Sequence, residues 1–189
     1  MNILVIIEHK NGVMHRMSKE AIAGAQKIGG NITALVIGEN SDLVVNELSS
    51  FQIQKTLLVT DQKVTSYNVD GYKEIILQVV KVVNPEFIIT GHTYQARDFM
   101  PRLSASLDIP FIPDLVSIEN SSYIKQIMNS KLNASISSSN ASILISFQSA
   151  SFSEENISKG SSPLEKFEVD LDASNIRSTV DEPFQESAS

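Results

Sequence analysis

The sequence predicts an α/β fold: a parallel sheet with helices on both faces, followed by a β-rich C-terminal extension. Three observations carry that expectation. Short apolar runs and amphipathic stretches take turns four times up to about residue 111, the rhythm that right-handed crossovers and a parallel sheet require. The runs are continuous in Ile, Leu and Val, as in strands buried on both faces. Past Pro110-Phe-Ile-Pro113 the apolar runs follow one another with no convincing helix between them.

Ile3 to Ile7 is the first strand. Met17, Ala21, Ala25 and Ile28 share one helical face, and Gly29-Gly30 can end that helix by adopting positive φ. Ile32 to Ile37 is the second strand, ending at Gly38, and Leu43, Val44, Leu48 and Phe51 make a short helical stripe. Thr56 to Val59 is a third strand, short and placed toward an edge. Tyr72, Ile75, Ile76, Val79, Val80 and Val83 keep the 3.6-residue period of a helix that Asn84-Pro85 stops. Phe87 to Thr90 is the next strand, and Ala96, Phe99, Met100, Leu103 and Leu107 face it from a helix.

In the extension, Asp114 to Glu119 and Tyr123 to Met128 read as strands joined by a turn at Asn120-Ser-Ser, and Ser142 to Phe147 as another. The expected division is an α/β domain over residues 1–150 and a Ser-rich, acidic tail over 151–189. In that tail Phe167, Val169 and Leu171 alternate with Glu168, Asp170 and Asp172, the pattern of an edge strand with one wet face. The last dozen or so residues lack an apolar period and are expected to be mobile.

The 189 residues are 42% hydrophobic, enough for one cored domain with an appendage. A net charge of −7 argues against a nucleic-acid partner, which needs clustered Lys and Arg. The chain has no Cys, which removes disulfides, thiolate nucleophiles and thiolate metal sites. Its apolar runs are far too short to span a bilayer, so no membrane insertion is expected. The first strand begins at the N-terminus without a leader-like segment, and a soluble cytoplasmic protein is the default.

Two loops invite a functional reading. The first, Glu8 to Arg16, follows the first strand, where open α/β sheets place ligands. Lys10 or Arg16 would there stand near a phosphate, with Glu8 and His9 as further pocket residues. The strand-end rule gives a location and no chemistry, so a solvated charged loop is preferred. The second is the turn Gly91 to Asp98, where the start of a helix offers N–H groups to an anion, and Thr93 and Arg97 would add donors. Asp98 competes as the expected N-cap, with Pro101 in the first helical turn. Capping and an interface role for Arg97 and Arg102 therefore rank above nucleotide binding.

His9, His15 and His92 have no metal-ligand spacing, and no metal is expected. The eight glycines form neither a dinucleotide fingerprint nor a P-loop, and no nucleophile elbow is present. No catalytic residue is assigned.

The run Phe87 to Leu107 also resembles the electron transfer flavoprotein alpha subunit. That family's pattern is a strand, then Thr-x-x-Gly-Lys/Arg-Asp/Asn-x-x-Pro-Arg, then a small-residue helix ending Leu-Asp. Thr93, Tyr94, Arg97, Asp98, Pro101, Arg102, Leu107 and Asp108 fall in the corresponding places, with Ala96 where Gly is usual. The start Ile3-Leu-Val-Ile-Ile-Glu-His9 with Gly12, the helix end Ile28-Gly-Gly30 and the strand Asp114-Leu-Val-Ser-Ile-Glu119 match as well. Met128 to Asn133 departs from the family's Gly-Asn turn.

The resemblance implies the N-terminal domain of that subunit, a fold like adenine-nucleotide hydrolases without a bound nucleotide. It implies a heterodimer with a beta subunit, carrying electrons from acyl-CoA or other dehydrogenases to a quinone oxidoreductase, as in fatty acid beta-oxidation. FAD would sit in a following domain whose Gly-Gly-Arg-Gly and Ser-Gly motifs are absent here, so the chain is expected to be a truncation or a freestanding short form. No cofactor is then expected in this chain, and its role would be a binding surface with His92, Tyr94, Arg97 and Arg102 as interface candidates. A bacterial cytoplasmic location follows from the same reading. The alternative is a freestanding nucleotide-binding module or small hydrolase of the same fold class.

Overall fold

The computed structural model describes residues 1–120 and 122–178. Strand β1 (Asn2–Ile7) is followed by a small hairpin, β2 (His9–Lys10) and β3 (Val13–Met14), and by α1 (Arg16–Ile28). Then come β4 (Asn31–Ile37), α2 (Asp42–Leu48), β5 (Lys55–Val59), α3 (Val69–Val83), β6 (Phe87–Gly91) and α4 (Tyr94–Leu107). The second half supplies β7 (Phe111–Glu119), β8 (Ser122–Ile127), β9 (Leu132–Ile136), β10 (Ile143–Phe147) and β11 (Leu164–Lys166). Nine of these strands form one sheet in the order β11-β5-β4-β1-β6-β10-β7-β8-β9. It is parallel from β11 to β7 and antiparallel through β8 and β9.

The two-sided burial expected of β1 is met by register. Val5 lies opposite Ala34 of β4 and Ile89 of β6. Ile3, Val5 and Ile7 enter one core with Ala21, Ile22 and Ala25 of α1, while Leu4 and Ile6 enter the other. There they meet Ile75, Ile76 and Val79 of α3 and Phe99 and Leu103 of α4. Each such side chain stabilises the fold by about 1.5–3 kcal/mol when fully buried, and the period of two divides the strand between both layers.

The helices stop where their sequences forbid continuation. Asn84 ends α3 in the left-handed region at φ 46°, immediately before Pro85, and Asp108 ends α4 at φ 54°. Leu43 departs from its expected place in the α2 stripe and is 68% exposed, leaving Val44 and Leu48 to bury the helix. A short helix has room for only two inward positions.

The segments after Pro113 join the same sheet. β10 lies between β6 and β7, parallel to both, so the chain returns to fill a gap it left earlier. β9 was not anticipated, because Leu132-Asn-Ala-Ser-Ile136 has only weak apolar alternation. Within the expected loop Glu8 to Arg16 lies the hairpin of β2 and β3, whose two-residue turn requires the positive φ that Asn11 and Gly12 both adopt.

β5 is one strand in from the edge, because the tail's β11 pairs parallel to it. Regular pairing ends at Lys166, yet the expected alternation persists: Phe167 and Val169 are half-buried, Leu171 is buried, and Glu168 and Asp170 are exposed. Asn68 then ties the tail to α3. Its Oδ1 accepts from the N–H groups of Asp70 and Gly71, and its amide donates to the Ser178 carbonyl at 2.7 Å. The expected mobility of the last dozen residues concerns positions outside the described residues.

Leu171→Ala tests whether the tail belongs to the folding unit. Deleting this buried side chain should cost about 2 kcal/mol, read as a lower urea midpoint with an unchanged slope.

Candidate functional site

The carboxyl ends of β1 and β4 open onto a cleft of about 530 Å³. β1 connects onward to β4 on one side, and β6 adds on the other, so the cleft stands beside the point where the winding reverses. Open α/β sheets bind ligands there. Glu8, His9, Gly38, Glu39, Tyr67 and Gln95 are among its lining residues. Tyr72 closes the floor, donating its hydroxyl to the Ile37 carbonyl at 3.3 Å, and burial pushes its pKa up to about 12. Tyr67 packs edge-on against it with ring centroids 4.8 Å apart. Burial, and then its 3.0 Å bond to Asp98, raises the Tyr67 pKa as well.

The hairpin folds Glu8 and His9 inward. The Glu8 N–H donates to Ser18 Oγ at 2.8 Å, and its carbonyl accepts from the His15 N–H at 2.9 Å. His9 Nε2 lies 3.0 Å from the Ile37 carbonyl, and the ring packs against Gly38. Gly38 has φ +117°, and a side chain there would be strained.

Helix α4 begins at Tyr94, with Thr93 as its N-cap. Thr93 Oγ1 accepts from the Ala96 N–H at 3.1 Å and donates to Glu8 Oε2 at 2.5 Å. The expectation that Asp98 caps this helix is therefore corrected. Asp98 sits one turn further in, accepting from the Tyr67 hydroxyl and pairing with Arg102 at 3.5 Å. The preference of Pro for first turns misplaced the start: Pro101 lies inside the helix, and a Thr with a nearby N–H three residues on caps it earlier. A carboxylate does stand at the helix start, but it is Glu8.

His92 faces the other way, toward β10. Arg97 Nε donates to His92 Nε2 at 3.1 Å, which leaves Nδ1 as the protonated nitrogen, donating to Ser146 Oγ at 2.8 Å. Ser146 is fully buried and also accepts from the Asp114 N–H at 3.2 Å. Burial holds the His92 pKa below its ordinary value of 6.5, with Arg97 and Lys125 acting in the same direction and Asp114 opposing them. This buried hydroxyl bonds to the half-buried imidazole, and the pair pins the loop.

A family model for the electron transfer flavoprotein domain matches residues 3–172. The chain belongs to the electron transfer flavoprotein family. Its relatives there include the electron transfer flavoprotein subunit alpha of Bacillus subtilis (strain 168), 31% identical over 61% of this chain and 36% of the relative. The subunit alpha of Pseudomonas aeruginosa is 27% identical over 92% of this chain and 56% of the relative. A probable mitochondrial subunit alpha of Cryptococcus neoformans is 24% identical over 96% of this chain and 52% of the relative. These matches support an alpha-subunit domain, and the chain spans between about a third and somewhat over half of the relatives' lengths.

Within this electron transfer flavoprotein domain, Glu8, His9 and Lys10 do reach the cleft, and Thr93 meets Glu8 beside it. Arg97 and Arg16 do not. Arg97 turns to His92 and lies over the Tyr94 ring at 5.3 Å, and Arg16 pairs with buried Glu20 at 3.0 Å and bonds Ser149. Of the interface candidates, Tyr94 is 88% exposed and Arg97 is exposed, whereas His92 is half-buried and Arg102 is engaged with Asp98 and Asp70. Tyr67, Glu39 and Gln95 were missed as lining residues. The strand-end rule applied to β4 would have found Glu39, but Tyr67 and Gln95 meet only through packing. Among the described residues no helix is long and apolar enough to cross a membrane, and no group of His, Cys, Asp or Glu is placed to hold a metal.

Thr93→Ala removes both the cap and the Glu8 partner and should cost about 1 kcal/mol, with Thr93→Ser retaining most of it in thermal unfolding. The lowered His92 pKa sets a pH dependence. Below about pH 6.5 the unfolded chain takes up a proton that the folded chain refuses, so stability falls as pH falls toward the folded-state pKa. His92→Gln should remove that part of the slope in unfolding curves compared across pH 5 to 7.5 (about one unit either side of the ordinary pKa).

Proposed function

We propose that this chain is the N-terminal domain of an electron transfer flavoprotein alpha subunit, scaffolding a FAD-containing heterodimer with a beta-type subunit. The complex would carry electrons from acyl-CoA or other dehydrogenases to a quinone oxidoreductase, in the cytoplasm of a bacterium. The domain's own contribution would be a binding surface and not catalysis. The observation that carries this reading is the family match along residues 3–172, which takes in the central sheet and most of the described tail. Under the same reading, residues 1–150 form the α/β domain and 151–189 lead toward a following FAD domain. Tyr94 and Arg97 remain proposed contact residues because both are exposed at the start of α4, and exposed Tyr and Arg are frequent anchors of interfaces.

FAD does not fit the cleft at β1 and β4. A dinucleotide brings a pyrophosphate, which needs free N–H groups and positive charge. The cleft instead is lined by Glu8 and Glu39, with Lys10 as its one Lys or Arg among the described residues, and Thr93 already caps α4. The same features count against a nucleotide-binding module or small hydrolase, a reading the comparisons do not favour.

The isolated chain should accordingly purify without a flavin absorption band after gel filtration, and titration calorimetry with ATP, ADP and AMP should show nothing tighter than about millimolar. A retained stoichiometric flavin or a micromolar nucleotide would refute the assignment of cofactor binding to another domain.

A further inference from the structure

One contact at the start of α4 depends on the position of a single proton. His92, which follows β6, is held from three sides. Its backbone N–H donates to the Phe147 carbonyl at 2.8 Å, its Nδ1–H donates to Ser146 Oγ at 2.8 Å, and its Nε2 accepts from Arg97 Nε at 3.1 Å. Ser146 and Phe147 lie in β10 and are buried. The loop backbone is equally fixed, because Gly91 packs so closely on α1 that a Cβ there would come within 2.5 Å of Met17 Cβ. Arg97 alone of the three partners is exposed.

The two ring bonds answer differently to acid. Imidazolium carries a hydrogen on both nitrogens and has no acceptor. The Nδ1–H bond to Ser146 survives that change, and a charged donor strengthens it. At Nε2 the lone pair is lost, so two N–H donors and two positive charges would face each other across 3.1 Å. Turning the ring over brings no relief, since neither nitrogen can then accept. The buried partners cannot retreat. The exposed guanidinium can.

The neighbours set the resting state. Burial favours the neutral ring, Asp114 of β7 opposes it, and Arg97 of α4 and Lys125 of β8 add to it. Glu8, beside the same loop, is committed to Thr93. With the ring neutral, Arg97 is tied at Nε and its guanidinium lies 5.3 Å over the Tyr94 ring, a cation–π contact. Its terminal nitrogens make no hydrogen bond among the described residues.

We propose that His92 is a proton-operated latch on Arg97: the neutral ring holds the guanidinium over Tyr94, and the protonated ring ejects it while staying bonded to Ser146. Because the His92 pKa lies below its ordinary 6.5, the latch is closed at neutral pH and opens only in acid. Acid thus turns a fixed cation beside an exposed tyrosine into a free one. The device works whether or not these residues touch a partner, so it goes beyond the heterodimer reading and does not depend on it.

The test is nitrogen NMR of the isotope-labelled full chain between about pH 7.5 and 5, following the His92 ring and the Arg97 Nε–H together. At neutral pH the ring should be the Nδ1–H tautomer. Through the His92 titration the Nδ1–H signal should persist, while the Arg97 Nε signal shifts with the same midpoint. His92→Gln supplies the reference, since its amide oxygen accepts from Arg97 at either pH. Water exchange of the Arg97 Nε–H should match between parent and variant at neutral pH and be about tenfold or more faster in the parent in acid. An Nε2–H tautomer at neutral pH overturns the latch, as does an Arg97 signal indifferent to the titration. Loss of the Nδ1–H bond together with the Arg97 bond also overturns it, because the loop and not the arginine would then be moving. Should His92→Gln fail to fold, the shared midpoint in the parent decides alone.

Discussion

The strand order places one demand on everything else: β7, β8 and β9 reach the parallel core through β10. That strand begins about two dozen residues after β7 ends and inserts between it and β6, parallel to both. Ser146, fully buried in β10, marks the join chemically. Its hydroxyl accepts from His92, just past β6, and from the Asp114 N–H within β7. Three strands distant in sequence are thus held by one oxygen that accepts from two donors. A buried hydroxyl without them would cost about 1–3 kcal/mol. Asp114 itself takes a positive φ to reach this arrangement, and the register of β10 against β7 shifts beside it.

The cleft at β1 and β4 shows how a fold's habitual ligand position can be chemically turned away from the usual ligand. The architecture supplies the concavity. The side chains supply carboxylates where a phosphate would need donors, and Thr93 satisfies the N–H group that an anion would otherwise seek. The bond from Thr93 to Glu8 links the end of β1 to the start of α4, so the residues that disfavour an anion also brace the site. A scaffold role is consistent with that economy, since a well-tied strand end positions surface groups such as Tyr94 without reacting.

Charge is partitioned along the chain in the same sense. The acids gather in the tail and the helices, while the β8–β9 hairpin has none. The tail's own strand closes the β5 edge and extends the α3 side of the core through Phe167, Val169 and Leu171. One edge of the sheet is thereby occupied from within, and the apolar face without acidic residues lies at the other.

The α/β class, the four strand-and-helix units with strong periodicity, and the family resemblance were all legible in the residues, because burial on two faces writes itself as continuous Ile, Leu and Val. The helix end at Asn84-Pro85 was equally readable, because proline cannot continue a helix, and the end at Leu107-Asp108 came with the family resemblance. The Asp98 cap was misjudged because Thr93 and Asp98 both suit a helix start locally, and the choice fell to Glu8, eighty-five positions away. Sheet order was not local information either. Nothing in Ile143 to Phe147 distinguishes a strand appended after β9 from one inserted between β6 and β7, because apolar side chains pack without direction. Backbone register and the polar partners of Ser146 made that choice, and both exist only once distant segments are side by side.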